Sequence, residues 1–112
     1  MSSREMVIAK VKACALPDGV FWIVCHNRYK RLSSPEYIDP LDIFPAESPE
    51  VIADWVSRSQ TLLSKNYDVG EAFFADKGDG DKVRQEFIEA NPGFAEGTYE
   101  HAIYLGVSAA LH

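Results

Sequence analysis

The strongest local signal in this 112-residue chain is a turn pattern at Pro17-Asp18-Gly19, which lies between two apolar segments. Proline fixes φ at the second position of a type I turn, and aspartate at the third position hydrogen-bonds to nearby backbone. Glycine then adopts the left-handed conformation that completes a three-residue hairpin loop. The pattern therefore predicts an antiparallel β-hairpin over residues 5–30.

The two faces of this predicted hairpin differ in character, because alternate residues of a strand point to opposite sides. Apolar side chains that are expected to form the core lie on one face, which Tyr29 shares: Val7, Val11, Phe21 and Ile23. The other face collects positive charge around one tryptophan and is a predicted partner-binding surface: Lys10, Lys12, Trp22, His26, Arg28 and Lys30.

The same geometry predicts that Cys14 and Cys25 point to opposite sides of the hairpin and stay unpaired. A two-residue turn at Asp18-Gly19 would shift the register and put both thiols on one side, so this prediction depends on the turn type. Free thiols indicate a reducing compartment. Residues 1–5 lack the start of a secretory signal, and no apolar run approaches the roughly 20 residues of a membrane helix. We therefore expect a cytoplasmic protein with no membrane contact.

Prolines dominate the next segment, residues 31–47, which contains Pro35, Pro40 and Pro45. Proline removes a backbone donor, which excludes a regular helix here and disfavours an inner strand. Apolar anchors are also present: Ile38, Leu41, Ile43 and Phe44. We expect an ordered loop that follows the surface and is a candidate contact region.

Helix signals begin at Ser48, where a capping hydroxyl is followed by Pro49. Apolar residues then recur at helical spacing through about Ser64, and residues 66–70 are expected to end this helix. Residues 71–75 form a short apolar stretch that is either a third strand or the approach to the next helix.

Two further helices are predicted after this stretch. The first begins at residue 80 or 81 and runs to residue 90, where Asn91-Pro92-Gly93 stops it, since the residue before proline avoids the helical region. The second covers residues 96–111. Small residues form one stripe of this last helix: Ala102, Gly106 and Ala109 or Ala110. Such a stripe lets two helix backbones approach closely.

Together these predictions describe an α+β fold in a single domain of 112 residues. An N-terminal antiparallel β-hairpin, with a third short strand as an option, packs against three C-terminal helices. The hairpin takes residues 5–30, the proline-rich loop residues 31–47 and the helical part residues 48–112. A chain of this length, with 46% hydrophobic residues, can bury one core without metals or disulfides.

Charge is sorted along the chain. Residues 1–35 hold six Lys or Arg against two acids, whereas residues 36–112 hold five against fifteen. The net charge of −6 therefore combines a basic N-terminal segment with a strongly acidic remainder. Such sorting bears on partners and solubility rather than on fold. In the helical part, the acids predicted to contact a partner are Glu86, Glu89 and Glu96.

Sequence motifs for metal binding and catalysis fail when they are checked. Residues 76–81 look like the start of a calcium loop, but the third and fifth positions are glycine and the twelfth is Phe87. A polar turn is expected there, with an aspartate that caps the next helix. Cys25 and His26 are neighbours on a predicted strand and would point to opposite faces. The sequence also lacks a zinc pattern and a phosphate loop. We therefore predict no cofactor, no metal and no enzymatic activity.

The predicted function is that of a small, acidic, non-enzymatic binding or regulatory protein that acts through protein–protein contacts. Its acidic helical surface would capture a basic protein partner and speed association. Roles of this kind are inhibitor, immunity-type protein and adaptor, and the sequence does not rank them. A homodimer is also expected, through contact of basic and acidic surfaces or through pairing of hairpin edges.

Two alternatives are kept beside this prediction. The first is a nucleic-acid-binding protein that uses the basic hairpin face around Trp22, because a ring within a positive surface can stack on bases. The negative charge of the rest of the chain opposes a polyanion, which makes this the second choice. The other alternative is a small hydrolase whose carboxylates the sequence does not identify.

Overall fold

The computed structural model describes residues 2–75 and 80–110, apart from the side chains of residues 73–75. Helices and connecting loops make up these two ranges, and neither range contains a strand. The described helices are α1 Ser3–Lys12, α2 Leu16–Asn27, α3 Pro40–Ile43, α4 Pro49–Ala75, α5 Gly80–Ala90 and α6 Glu96–Ala110. The α+β prediction is therefore wrong, both for the hairpin and for a third strand at residues 71–75, which belong to α4.

Two helices, α1 and α2, stand in place of the predicted hairpin. α1 begins after Ser2, whose side-chain Oγ accepts a hydrogen bond from the backbone N–H of Glu5 at 3.1 Å. Serine followed three residues later by glutamate is a helix-start signature. Val7, Ile8 and Val11 lie on one side of a helix, so their spacing suits a helix as well as a strand. Their β-branched side chains favour a strand by propensity, but packing of this apolar side overrides that preference.

The predicted hairpin turn is the start of α2. Pro17 lies in the first helical turn, where its missing N–H has no consequence, and Asp18 places a negative charge at the positive end of the helix. Gly19 does not have a positive φ. A Cβ on Gly19 would lie 2.9 Å from Cζ of Phe44, so close packing accounts for this glycine. The proline–aspartate pair thus suits a helix start as well as a turn.

The chain divides into two compact units, Met1–Ser59 and Gln60–His112. In the first unit, three residues form the centre of a core cluster: Val11, Ile23 and Ile38. Partly buried side chains pack against them: Val7, Ile8, Trp22, Ile43 and Phe44. The predicted core residues Val11, Phe21 and Ile23 are fully buried and so confirmed, although they lie on helices. The assignment of the whole chain to one domain stays a prediction.

The proline-rich segment is an ordered loop that contains one short helix. Asp39 caps α3 by accepting the N–H of Leu41 at 3.0 Å, and Pro40 occupies the first turn. The prediction that prolines exclude a helix from residues 31–47 is wrong, because the first helical turn tolerates proline. Three of the predicted apolar anchors contact the core of the first unit: Ile38, Ile43 and Phe44.

α4 begins as predicted, since the Oγ of Ser48 accepts the N–H of Val51 at 3.2 Å. The helix then continues through residues 66–70, where an end was predicted. Gly70 is a packing residue rather than a helix end, because a Cβ at this position would collide with the backbone of Gly106. A glycine inside a helix costs about 0.5–1 kcal/mol relative to alanine, and here it allows the helix contact.

α5 and α6 lie where they were predicted, and a short joint connects them. Gly93, with φ of 108°, supplies the turn after Pro92. On α6, Gly106 confirms the predicted close approach of two helices, because a Cβ there would collide with the backbone of Asn66 in α4. Ala102 of the same stripe is fully buried.

No helix in the described ranges combines the length and the apolar character that are needed to cross a membrane. Asp81 lies in the first turn of α5, near the positive end of the helix. The predicted polar turn with its capping aspartate falls on residues 76–79, which lie outside the described residues.

Candidate functional site

The residues of the predicted basic face lie on two helices and a loop rather than on one face of a hairpin. Their role in binding a partner stays a prediction. Lys10 and Lys12 are two residues apart on α1, and such neighbours do not face each other on a helix. Lys10 lies over Trp22 of α2, with Nζ 3.6 Å from the ring centroid. Trp22 is half-buried and packs against the core of the first unit, whereas Lys12 is exposed.

The other three predicted residues lie at the end of α2 and just beyond it. His26 Nε2 is 2.6 Å from the carbonyl oxygen of Glu36, and because a carbonyl only accepts, Nε2 carries the proton. Nζ of Lys30 donates to the carbonyl of His26. Arg28 is the C-cap residue directly after α2, and its guanidinium lies 5.3 Å from the ring centroid of Tyr29. His26 therefore has a structural contact, while Arg28 and Lys30 belong to an exposed loop.

Six consecutive exposed residues, 28–33, follow α2. We call the first five the basic loop: Arg28, Tyr29, Lys30, Arg31 and Leu32. Tyr29 is 92% exposed and Leu32 is 80% exposed. The other three residues are cations, and the loop contains no acid. An exposed aromatic ring and an aliphatic side chain among arginines resemble the composition of protein interfaces, in which Tyr and Arg are enriched.

The basic loop has a fixed base. Asn27, the last residue of α2, forms two hydrogen bonds with Ile38: its Nδ2 donates to the carbonyl at 2.7 Å, and its Oδ1 accepts the N–H at 2.9 Å. Ile38 is fully buried in the core of the first unit. Together with the bond between His26 and Glu36, these contacts hold both ends of residues 28–37. A loop held in this way binds at a lower entropic cost than a free one.

Tyr29 has a strained backbone. Its φ of 69° lies in the left-handed region, which costs an L-residue roughly 1–2 kcal/mol. Because the side chain is exposed, it gains little from burial. The contact with Arg28 offsets only about 0.5–1 kcal/mol at an exposed site. Glycine would adopt this positive φ with less backbone strain, so the stability of the fold alone does not explain why a tyrosine is present here.

The acids predicted to contact a partner lie on α5 and at the start of α6. Glu86 and Glu89 are exposed and three residues apart, which places them on the same side of α5. Glu96 forms an ion pair with Arg84 at 3.1 Å, and Arg84 also contacts Glu100. The charge of Glu96 is therefore partly neutralised. Glu89 accepts a hydrogen bond from the neutral side-chain amide of Gln85 at 2.9 Å, so among these three acids Glu86 and Glu89 are better placed for a partner.

Sequence reasoning missed Tyr29, Arg31 and Leu32 as site residues. The signal was visible as three closely spaced cations with one aromatic and one aliphatic residue among them. The hairpin prediction hid it, because that register turned Tyr29 toward the core and placed the boundary of the strand inside the loop. The positive φ and the exposure of Tyr29 are properties of the folded backbone.

Cysteine chemistry is disfavoured at this site. Cys14 and Cys25 are unpaired, as predicted, although the strand geometry given as the reason is wrong. Burial raises the pKa of the Cys25 thiol to about 12, and the charge of Arg28 lowers it only in part. The thiol therefore stays protonated near neutral pH, which disfavours nucleophilic attack and metal binding. Within the described residues, no three His, Cys, Asp or Glu side chains are grouped to hold a metal ion.

Comparison with known proteins gives no family for this chain. No protein-family model, curated protein or solved structure matches it. The candidate site is therefore defined by geometry: an exposed Tyr29 and Leu32, the cations beside them, and the bonds from Asn27 that fix the base of the loop.

Proposed function

We propose that this chain is a non-enzymatic binding protein that acts through protein–protein contacts, and that the basic loop is its main contact. Tyr29 is the observation that carries the proposal, because its ring is exposed while its backbone is strained. Burial of the ring against a partner would add the free energy of apolar burial, which the exposed ring lacks in the free protein and which would offset the backbone strain. Tyrosine and arginine are among the residues that most often dominate binding energy at interfaces.

The charge of the basic loop indicates an acidic partner surface. Arg28 and Arg31 offer planar guanidinium groups that can pair with carboxylates through two hydrogen bonds each. The loop acts locally, because the Debye length is about 8 Å at physiological salt, so more distant acids of this chain are largely screened. We expect these cations to raise the association rate and to exclude basic partners.

A second contact of opposite sign belongs to the same proposal. Glu86 and Glu89 lie on one exposed side of α5, where they would attract a basic protein partner. Inhibitor, immunity-type and adaptor roles all fit a small protein that presents charged contacts of this kind. We also propose a cytoplasmic location, in which Cys14 and Cys25 stay reduced.

An affinity pull-down from extracts of the native cells tests the main contact, with the full chain as bait. Tyr29→Gly removes the ring and keeps a residue that accepts the positive φ. We expect the variant to retain about tenfold less of its specific partner than the unaltered chain, which is the effect of losing an interface anchor. Retention should also fall at high salt, because the loop is cationic.

Tyr104→Ala is the matched control, since Tyr104 is 65% exposed and lies on α6 outside the basic loop. This variant should retain the partner as well as the unaltered chain does. Equal retention by the Tyr29→Gly variant and the unaltered chain, with both folded by circular dichroism, would reject the basic loop as the contact.

Nucleic acid is a second candidate partner, and the exposed Tyr29 ring beside cations favours it, because such a ring can stack on a base. Trp22 is less suited to this role, since Lys10 lies over its ring. A gel-shift assay with a single-stranded oligonucleotide at low salt tests the candidate. A shift that Tyr29→Gly abolishes would support it, and no shift would reject it. The hydrolase alternative stays a prediction without named residues.

A further inference from the structure

We propose that the basic loop of one copy binds the exposed side of α5 on a second copy of this chain. The inference rests on the proposed function, because it uses the same loop and names its partner. It is carried by two surfaces of opposite charge that the chain itself provides, one in each compact unit.

Charge complementarity selects a second copy as the occupant. Lys30 turns its Nζ to the carbonyl of His26, which leaves Arg28 and Arg31 as the cations that can pair with a partner. On α5, Glu86 and Glu89 are exposed and three residues apart, so their Cβ atoms are about 5–6 Å from each other. Two guanidinium groups on a loop with a fixed base therefore meet two carboxylates on a rigid helix.

The apolar side chains of the basic loop also find a counterpart on α5. Ala90 is exposed and follows Glu86 by four residues, so the two lie on the same side of the helix. In the proposed contact, the Tyr29 ring packs against the exposed methyl group of Ala90. Leu32 can pack against the methylene groups of the neighbouring glutamate side chains.

The proposed contact allows two kinds of assembly, because each copy carries one basic loop and one α5. Two reciprocal contacts would give a closed dimer with a twofold axis. A single contact would leave one loop and one helix side free at the ends and would allow longer chains of copies. The size of the assembly therefore reports which arrangement forms.

Sedimentation velocity of the purified full chain, at several concentrations and at low and high salt, tests this inference. We expect reversible self-association at low salt that weakens as salt screens the charges. The double variants R28E/R31E and E86K/E89K should each lower the association constant by about tenfold or more, because like charges then face each other. The control K12E/K65E reverses two exposed cations outside the basic loop and should leave self-association unchanged.

Mixing the two reversed variants gives the sharpest result. In the mixture, an acidic loop meets a basic α5 and a basic loop meets an acidic α5, so association should return to the level of the unaltered chain. A chain that stays monomeric at low salt overturns the inference, as does an association that either double variant leaves intact. A monomeric chain whose Tyr29-dependent pull-down persists leaves the proposed function standing, with another protein as partner.

Discussion

Two tyrosines, one in each compact unit, are used in opposite ways. Tyr99 is 4% exposed, and its hydroxyl donates to the carbonyl of Asn91 at 2.6 Å and accepts the N–H of Phe94 at 3.3 Å. Tyr29 is 92% exposed and lies on the outside of its loop. The buried ring therefore holds the joint between α5 and α6 closed, whereas the exposed ring adds nothing to the closure of the loop that carries it.

The contrast distinguishes residues whose hydrogen bonds close a loop from residues whose exposed side chains are open to a partner. In the Gln60–His112 unit, Tyr99 holds the joint, so a partner could not bind the Tyr99 ring without disturbing the fold. In the Met1–Ser59 unit, Asn27 performs the closure through two bonds to Ile38. Side chains of that loop are therefore available for binding, as is common for loops on a rigid scaffold.

The largest effect is expected from Gly106, which fixes the helix contact in the unit of Tyr99. Gly106→Ala should lower the free energy of unfolding by about 3 kcal/mol, because its Cβ would collide with the backbone of Asn66. Urea denaturation followed by circular dichroism measures the change. Gly97→Ala is the control: apart from its chain neighbours and the nearby backbone of its own helix, no atom lies within 4 Å of its Cβ position, so stability should stay equal or rise by up to about 1 kcal/mol. Equal losses in the two variants would contradict this account of the helix contact.

Removing the closure of the basic loop should have the next largest effect. Asn27→Ala deletes both hydrogen bonds to Ile38 and leaves a buried N–H and carbonyl without these partners, which should lower the free energy of unfolding by about 2 kcal/mol. Partner retention in the pull-down should fall as well, because the loop loses its fixed base. Asn27→Asp keeps the acceptor and loses the donor, so its free energy of unfolding should lie between those of the Asn27→Ala variant and the unaltered chain. Full partner retention by a destabilised Asn27→Ala variant would show that binding does not need a held loop.

The tyrosine comparison itself can be tested by removing one oxygen atom. Tyr99→Phe should lower the free energy of unfolding by about 1.5 kcal/mol, because the carbonyl of Asn91 and the N–H of Phe94 lose a partner. Tyr29→Phe should leave stability unchanged, since its hydroxyl is exposed. Thermal and urea denaturation of the two variants measure the difference, and similar losses in both would remove the distinction drawn between these rings.

The smallest effect is expected from alkaline pH in the unit of Tyr29, which holds both cysteines. Burial raises the pKa of Cys25 from 9.0 to about 12, so the thiol of the unfolded chain loses its proton first as pH rises. The contribution of this thiol to the free energy of unfolding is therefore nearly constant below about pH 9 and falls as pH rises further, by about 1.4 kcal/mol at about pH 10. Cys25→Ala should reduce the slope of stability against pH above pH 9. An unchanged slope would mean that the thiol ionises equally in both states.

Local signals account for what could be predicted of the fold. Ser48 caps α4 and proline with glycine ends α5, and both signals depend on a few neighbouring residues only. The N-terminal segment was ambiguous in the same local terms, because Pro17-Asp18 suits a turn and a helix start alike. Its alternating Val and Ile residues have spacings that fit both a strand and a helix. Packing between α1 and α2 decides between them, and packing is not a local property.

The candidate site divides in the same way. Arg28 and Lys30 could be identified as basic residues from the sequence, and Glu86 and Glu89 as acids on a helix. Tyr29 could not be placed, because its role depends on a positive φ and on hydrogen bonds between residues ten and eleven positions apart in the chain. Contacts across that separation have no signature in the residues next to Tyr29.

The paired bonds between Asn27 and Ile38 have a consequence for how this protein can change. They use the side chain of one residue and the backbone of another, and neither belongs to the exposed stretch between them. New residues could be grafted into positions 28–33 while the helices on either side keep their cores. The exposed residues of this helical protein can thus change in evolution or by design while the hydrogen bonds that close the loop stay the same.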